Sequence, residues 1–594
     1  MFLPVSKEEL EQRAVKSVDF VLVTGDAYID HCSFGTAIIG RVLERYGYSV
    51  AILSQPNWKD CSDFKRFGKP RLGFLIGSGN IDSMVNHYSV NKKRRKQDAY
   101  TEGGVIGKRP DRAVIVYSGL ARAAYKDVPI IIGGIEASLR RLAHYDYWDN
   151  KVRRSILIDS GADLLLYGMS ETSVVELAQA LESGIDVKHI TFIAGTTYKT
   201  KTLDMVYEGI ELPTYEAASQ NKIEYCKSFV IQYNNTDAYT AKPLIESYGK
   251  MGYVVQNPPS KPLTTLELDD IYELPFMNAP HPIYTQEIPA IKEILFSITS
   301  NRGCFGSCSF CALTFHQGRT VQGRSENSMI EEATKMTLHP KFKGYIHDVG
   351  GPTANFSQAQ CTKAVTHGTC RNKKCLYPAP CKSMNIDHTV YMRTLRKIRE
   401  IKGIKKVFVR SGIRYDYLLA DKNSKAIIKE LATYHVSGQL RIAPEHIADN
   451  ALRHMGKPKR EVYEKFTNMF SNETKKIGKE QYVVPYFMSS HPGATLEDAV
   501  ELALYLKKIQ HIPEQVQDFY PTPSTLATCM YYTELDPFTL EKVYVAKSVE
   551  EKAMQRALLQ YNKKENYSLV YKAIVRCNRN DLIGNSNKCL IRRK

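Results

Sequence analysis

"SNRGCFGSCSFCALTFHQGR", residues 300–319, places Cys304, Cys308 and Cys311 within eight positions, directly after the apolar run "EILFSIT". An apolar run closed by glycine reads as a buried strand and its loop. Three thiolates on one short loop can converge on one centre. A structural zinc site wants four ligands, usually as two CxxC pairs. Three ligands leave one metal position open, and in a [4Fe–4S] cluster an open iron can bind a substrate or cofactor. Gly303 and Gly306 let the backbone wrap closely around such a centre, and Phe310 adds an apolar wall.

The chain on either side sets the fold class. Upstream, "VDFVLVTGDAY" (18–28), "PRLGFLIGSGN" (70–80), "DRAVIVYSG" (111–119), "VPIIIGGIEAS" (128–138) and "ADLLLYGMSE" (162–171) read as strand-then-turn units. Helical stretches such as that within "SFGTAIIGRVLERYGYSVAIL" separate them. Alternating strands and helices predict a parallel, doubly wound sheet with its ligand site beyond the strand carboxyl ends. "HITFIAGTTY" (189–198) reads as one more strand, and 253–282 as an extended, Pro-rich linker. Downstream of the cysteines, strand candidates recur at 344–349, 405–410, 438–443, 482–488 and 514–520, a spacing that fits a full or partial βα barrel. The expected class is therefore α/β: a Rossmann-like sheet, a partial barrel and a helical C-terminal segment. The expected division is 1–185, an extension and linker at 186–289, the barrel at 290–530, and a C-terminal segment at 531–594.

The 594 residues are 43% hydrophobic and 24% charged, enough apolar material for several cores. No stretch approaches a membrane span, and "MFLPVSKEELEQRAVKSVDF" carries no secretory signal, so a cytoplasmic location is expected. Thirteen cysteines in a reducing compartment argue for metal binding over disulfides. A net charge of +18 favours anionic partners: RNA, DNA, nucleotides or an acidic protein. The dense run "NKKRRKQD" (91–98) reads as an exposed loop.

A second group, "CTKAVTHGTCRNKKCLYPAPC" (361–381), gathers Cys361, Cys370, Cys375 and Cys381 on a loop. Four soft ligands can complete a zinc site or hold an auxiliary iron–sulfur cluster, and the spacing does not choose between them. His367 and His388 beside it read as ordinary residues. Cys32, Cys61, Cys226, Cys529, Cys577 and Cys589 are scattered and read as structural.

The spacing CxxxCxxC, with an aromatic before the third cysteine, resembles the signature of the radical S-adenosylmethionine (SAM) superfamily. That resemblance implies a cluster whose open iron chelates SAM, cleaves its sulfonium with one electron and yields a 5′-deoxyadenosyl radical. It also implies an electron donor such as flavodoxin or ferredoxin. "YIHDVGGPTANF" (345–356) resembles the glycine-rich second-strand motif and assigns Gly350 and Gly351 to SAM binding, with Pro352 and Thr353 where an acid is usual. "VFVRSGIRYD" (407–416) places Arg410 and Ser411 at a strand end that contacts SAM in such proteins, and Phe310 joins this set. "LRIAPEHIADNALRHMGKP" (440–458) and "YVVPYFMSSHPGATLEDA" (482–499) resemble the fifth- and sixth-strand segments of methylthiotransferase-like members, with His491 and Ala494 departing from the pattern. For Glu445 and His446 the expectation is a plain strand-end turn.

Most of the chain is similar to the YgiQ-type (UPF0313) family of radical SAM proteins, through "GGIEASLRRLAHYDYWDNKVRRSIL" and "QDFYPTPSTLATCMYYTELDPFTLE" among other segments. The resemblance implies a cobalamin-binding-like N-terminal sheet. The cobalamin-ligand motif DxHxxG is not matched by "IDHCSFG" (29–35), where Asp30 adjoins His31, so cobalamin stays open. The expected function is a radical SAM enzyme acting on an unidentified substrate, with RNA modification as one form. The alternative is a zinc-stabilised nucleic-acid-binding protein without catalytic activity.

Overall fold

The computed structural model describes residues 1–593. Strands β1 (Phe20–Thr24), β2 (Val50–Ser54), β3 (Gly73–Ile76), β4 (Ile130–Ile132) and β5 (Leu164–Leu166) are mutually parallel in the order β2-β1-β3-β4-β5. Their residues alternate between two cores, as a sheet covered on both faces requires. Leu22, Leu75, Ile131 and Leu164 pack on one side with Ile38, Val42 and Leu177. Val21, Val23, Phe74, Ile130 and Leu165 pack on the other with Val114, Tyr117 and Leu157. The strand order reverses direction at β1/β3, the point where such sheets open a ligand crevice.

Two expectations are corrected here. Residues 111–119 are not a strand but the start of the helix Ala113–Ala124. The run "AVIVYSG" buries Ala113, Val114, Tyr117, Ser118 and Ala121, a helical period, and its first N–H groups are capped from afar by Ser83 Oγ (3.1 Å) and Glu136 (3.1 Å). The division at 185 also falls inside the sheet. β6 (Thr196–Thr200), β7 (Ile210–Glu211), β8 (Leu244–Ser247) and β9 (Tyr253–Gln256) extend it in the order β5-β6-β9-β8-β7, antiparallel except for the β7–β8 pair. The 253–282 segment holds β9 and the helix Thr265–Tyr272, which is closed by a Thr264–Glu267 capping box.

The barrel strands follow at the expected places: β10 (Ser297–Thr299), β11 (Tyr345–Ile346), β12 (Asp348–Gly350), β13 (Lys406–Val407), β14 (Gln439–Glu445), β15 (Tyr482–Ser489) and β16 (Gln517–Asp518). They pair in parallel: β10 with β12, β11 with β13, and β14 with β15, which in turn pairs with β16. Ile298, Val349, Val407, Ile442 and Phe487 point into one core with Leu395, Phe466 and Leu506 of the surrounding helices. The C-terminal segment is helical at Leu526–Thr533, Val549–Leu559 and Tyr567–Arg576. No helix among the described residues is long and apolar enough to cross a membrane.

The sheet and barrel are clamped together. Arg302, just after β10, forms a buried ion pair with Glu171 of the N-terminal sheet and bonds Tyr272 Oη at 3.2 Å. A mixed apolar cluster joins Leu139, Tyr145 and Phe229 to Phe315, Met488, Leu526 and Met530.

Glu246 in β8 is fully buried and accepts the Ala143 N–H at 2.9 Å. Burial lifts its carboxyl from near 4.5 to about 7, against the lowering effect of Tyr248 and the Ala143 amide. The folded chain therefore holds a proton there that the unfolded chain releases, so stability falls as pH rises from about 4.5 to 7. Glu246→Gln is expected to flatten this slope, removing a loss on the order of 3 kcal/mol, read as the denaturant midpoint at pH 5 and pH 8.

Candidate functional site

The cysteine loop leaves β10 through a tight passage. Gly303 has φ +78°, and a Cβ there would lie 2.2 Å from the Thr320 carbonyl oxygen, so only glycine fits. A short antiparallel pairing of Asn301–Arg302 with Gln322–Gly323 closes the loop at its base. The Ser309 N–H donates to the Met455 carbonyl (3.0 Å), and the Ala527 N–H donates to the Ser309 carbonyl (2.9 Å), which fixes the loop from two other elements.

The structure brings Cys304, Cys308 and Cys311 within electrostatic reach of one another. Burial pushes the Cys311 thiol up to about 12, and the neighbouring Cys304 and Cys308 push the same way. Burial and then Cys308 raise Cys304, against the Gly306 N–H that donates to its Sγ at 3.4 Å. Cys308 goes the other way. Burial would raise it, but Lys457 and Arg414 outweigh burial, and Arg414 Nη1 donates to its Sγ at 3.3 Å. A cationic surrounding of this kind favours the thiolate, the form that binds metal. Arg414 Nε is held by Asp416 (2.7 Å), and its Nη2 is buried without a partner. Among the described residues no three His, Cys, Asp or Glu side chains stand close enough to share one metal ion. The three thiols of this one loop form a cradle whose donor set fits a [4Fe–4S] cluster held by cysteine thiolates.

Beside the cradle lies a cavity of about 1040 Å³ between sheet and barrel. Gly350, Gly351, Arg410 and Ser411 all line it, with Asn301 and Arg302. Asp348 organises this rim: it accepts the Arg410 and Ser411 N–H groups (2.6 and 3.0 Å) and bonds the Ser411 hydroxyl. A Cβ on Gly351 would lie 2.5 Å from the Asn301 carbonyl oxygen. Asn301 Nδ2 and Arg302 Nη2 are buried donors without a protein partner. Thr353, on the same turn, bonds the Cys304 thiol, so the glycine turn joins cavity and cradle. Phe310 is apart from this set. It lies edge-on to His491 (centroids 5.9 Å, 82°) in the cluster that includes Met455 and Met488, and does not line the cavity. Glu445 (φ +68°) faces Lys457 at 3.5 Å, and His446 Nδ1 accepts the Ala448 N–H.

A slot of about 160 Å³ at the carboxyl ends of β1, β3, β4 and β5 adjoins the cavity, and Gly77, Gly133, Gly134 and Gly168 line it. His316, just beyond the cysteine loop, lines both spaces and is bonded through Nδ1 to Ser138 Oγ at 3.1 Å. His31 lines neither. It is buried in its own turn, its Nδ1 accepting the Ser33 N–H at 3.0 Å, while Asp30 is paired with Arg41. The second cysteine group converges as well: Cys361, Cys370 and Cys381 all act on Cys375.

The whole chain has close relatives. It is 57% identical to a UPF0313 protein of Clostridium perfringens (strain SM101 / Type A), over 100% of this chain and 90% of the relative. It is also 57% identical to one of Clostridium botulinum (strain ATCC 19397 / Type A), over 99% and 92%. The chain belongs to the UPF0313 family of radical SAM proteins. Residues 2–297 of this UPF0313 protein match the family model "Radical SAM N-terminal", and 514–593 match a "Domain of unknown function (DUF3362)". Among solved structures it is similar to the radical SAM methyltransferase TsrM of Kitasatospora setae (13% identity, 86% of this chain and 77% of that one, TM-score 0.49). It is also similar to the cobalamin-dependent SAM radical enzyme OxsB (10%, 88% and 57%, TM-score 0.45).

Sequence reading chose Arg410 at the strand end and missed Arg414, the arginine that touches a thiol. It also missed Lys457, Asn301 and His316. Arg414 carried one usable signal, an acid two residues on at Asp416, the spacing of a locally braced guanidinium. Arg319 was missed too. Its buried guanidinium donates to the carbonyls of Cys370 and Lys373 (3.0 Å each) and ties one cysteine loop to the other. Arg319→Ala is expected to loosen residues 361–381, so that limited trypsin digestion cuts at Lys373 or Lys374 about 10-fold faster than in the unaltered chain.

Proposed function

We propose that this UPF0313 protein is a radical SAM enzyme whose Cys304, Cys308 and Cys311 hold a [4Fe–4S] cluster and whose cavity binds SAM with an anionic substrate. The observation that carries this is the position of three thiols on the loop after the first barrel strand, joined by the Gly350–Thr353 turn to a large cavity. When bound, such a cluster passes one electron to the SAM sulfonium and so supplies a 5′-deoxyadenosyl radical for hydrogen abstraction. The chain's own part is positional. Arg414 and Lys457 hold the Cys308 thiol below its ordinary pKa and offset the charge of the cradle. Asp348 fixes the Arg410–Ser411 rim, and Asn301 and Arg302 present buried donors to a polar ligand. The sheet and the barrel each supply part of the wall of the space between them.

An anionic substrate, RNA included, is favoured by Arg302, Arg410 and Arg441 around the cavity. An acidic flavodoxin- or ferredoxin-type protein is the electron donor we infer for a chain of net charge +18. The glycine-lined slot, at about 160 Å³, is too small to hold a whole cobalamin, which would have to reach into the adjoining cavity, and the Asp30–His31 turn lines neither space.

Cys308→Ala, with its cluster rebuilt anaerobically, is expected to lose 5′-deoxyadenosine formation from SAM and dithionite down to background. Undiminished cleavage in that variant overturns the assignment. Gly351→Ala should keep its iron, yet raise the KM for SAM about 10-fold or more as the Asn301 side of the cavity is forced to shift.

A further inference from the structure

The loop between β12 and the helix Thr389–Glu400 is long and has little regular structure beyond the short helix Thr362–Thr366. A loop of that length within a compact domain is ordinarily functional or disordered. This one is fastened at several points. The Asn385 N–H donates to the Gln360 carbonyl (2.9 Å) and closes its neck. The Cys381 N–H donates to the Cys375 carbonyl (2.8 Å) and folds its tip back on itself. Asp237 accepts the N–H and hydroxyl of Thr369 (2.9 and 3.0 Å), and Arg319 holds the carbonyls of Cys370 and Lys373. The result is that Cys361, Cys370 and Cys381, all half-buried, lie within electrostatic reach of the half-buried Cys375. Between residues 361 and 386 the buried apolar side chains are Ala364 and Leu376, and Leu376 packs with Cys375, Met384 and Ile386 against Phe305 and Phe356. Small units with so little core are usually held by a metal or a disulfide, and all four thiols are free.

Charge supplies the second observation. Between residues 361 and 386 the loop carries Lys363, Arg371, Lys373, Lys374 and Lys382, and no acidic residue. Lys363 Nζ lies 3.7 Å from Cys370 Sγ. A centre bound by four thiolates is an anion, and this surplus of cations is what its burial requires. Zinc, with bonds of about 2.3 Å to sulfur, draws its ligands into one tight tetrahedron. Among the described residues no three such side chains are gathered that closely, in this group or around Cys304.

We propose that Cys361, Cys370, Cys375 and Cys381 hold a second [4Fe–4S] cluster, with each iron taken by a protein thiolate. Having no open iron, this cluster does not bind SAM, and its presence does not depend on the reading of the first site. Cys304 and Cys375 pack against the same apolar cluster, which holds the stacked Phe305–Phe356 pair (centroids 3.8 Å, 21°).

The full chain, rebuilt without oxygen from iron and sulfide, tests this by iron, sulfide and zinc content together with Mössbauer spectra. About eight irons per chain are expected, falling to about four in the triple variant Cys304→Ala/Cys308→Ala/Cys311→Ala and to about four in Cys370→Ala/Cys375→Ala. A triple variant that retains no iron, or one zinc per chain that disappears in Cys370→Ala/Cys375→Ala, overturns the proposal. A chain whose iron survives the triple variant in full, but vanishes in the second, keeps this cluster and refutes the first one. The unaltered chain is decisive even where a variant does not fold: about four irons there, with zinc or nothing on the second group, also overturns the proposal.

Discussion

Three half-buried thiols on one loop repel one another as soon as they ionise, and the barrel end is arranged around that repulsion. In a medium of low polarity each added charge is costly unless an opposite charge meets it. Arg414 and Lys457 meet it at Cys308. Both need support of their own: Arg414 is braced by Asp416, and Lys457 by Glu445 and the Ala443 carbonyl. These side chains come from the ends of separate barrel strands and helices, so the loop has its electrostatic partners only once the barrel has closed. A cluster of like charges thus couples local chemistry to the global fold.

The second dependence is between sheet and barrel. The cavity has no complete wall in either half alone: Gly79, Asn80 and Met169 come from the sheet, and Gly350, Arg410 and Arg441 from the barrel. Arg302 belongs to both, since it leaves the first barrel strand and pairs with Glu171 in a buried contact. A buried ion pair adds little net stability but is costly to break. That asymmetry suits a joint whose register must be kept.

Much of this was legible in the chain. The CxxxCxxC loop, the strands β1, β3, β4 and β5, and the barrel strand positions are written in local runs and their closing glycines. What failed depended on distant partners. The run "AVIVYSG" has strand-like composition, yet Glu136 and Ser83 cap it as a helix, and neither lies near it in sequence. β7 and β8 are short or edge-lying pieces of a polar stretch, and their place in the sheet is set by pairing rather than by pattern. At the site, Gly350, Gly351, Arg410 and Ser411 fall on the cavity rim as expected. Arg414 sits one turn further on, and which of two nearby arginines faces a thiol is decided by how the helix Tyr415–Leu419 begins. The convergence of the four later cysteines rests on Asp237 and Arg319, residues no spacing rule connects to them.

The hydrogen bond from Ala527 to Ser309 has a temporal meaning. Its donor lies in the last seventy or so residues of the chain, and its acceptor between the second and third cysteines. During synthesis the cysteine loop and most of the barrel leave the ribosome first, while the helix that covers the loop is still unmade. The nascent protein thus passes through a stage with its thiols uncovered. Closing that cover belongs to maturation, after translation has delivered the helix Leu526–Thr533.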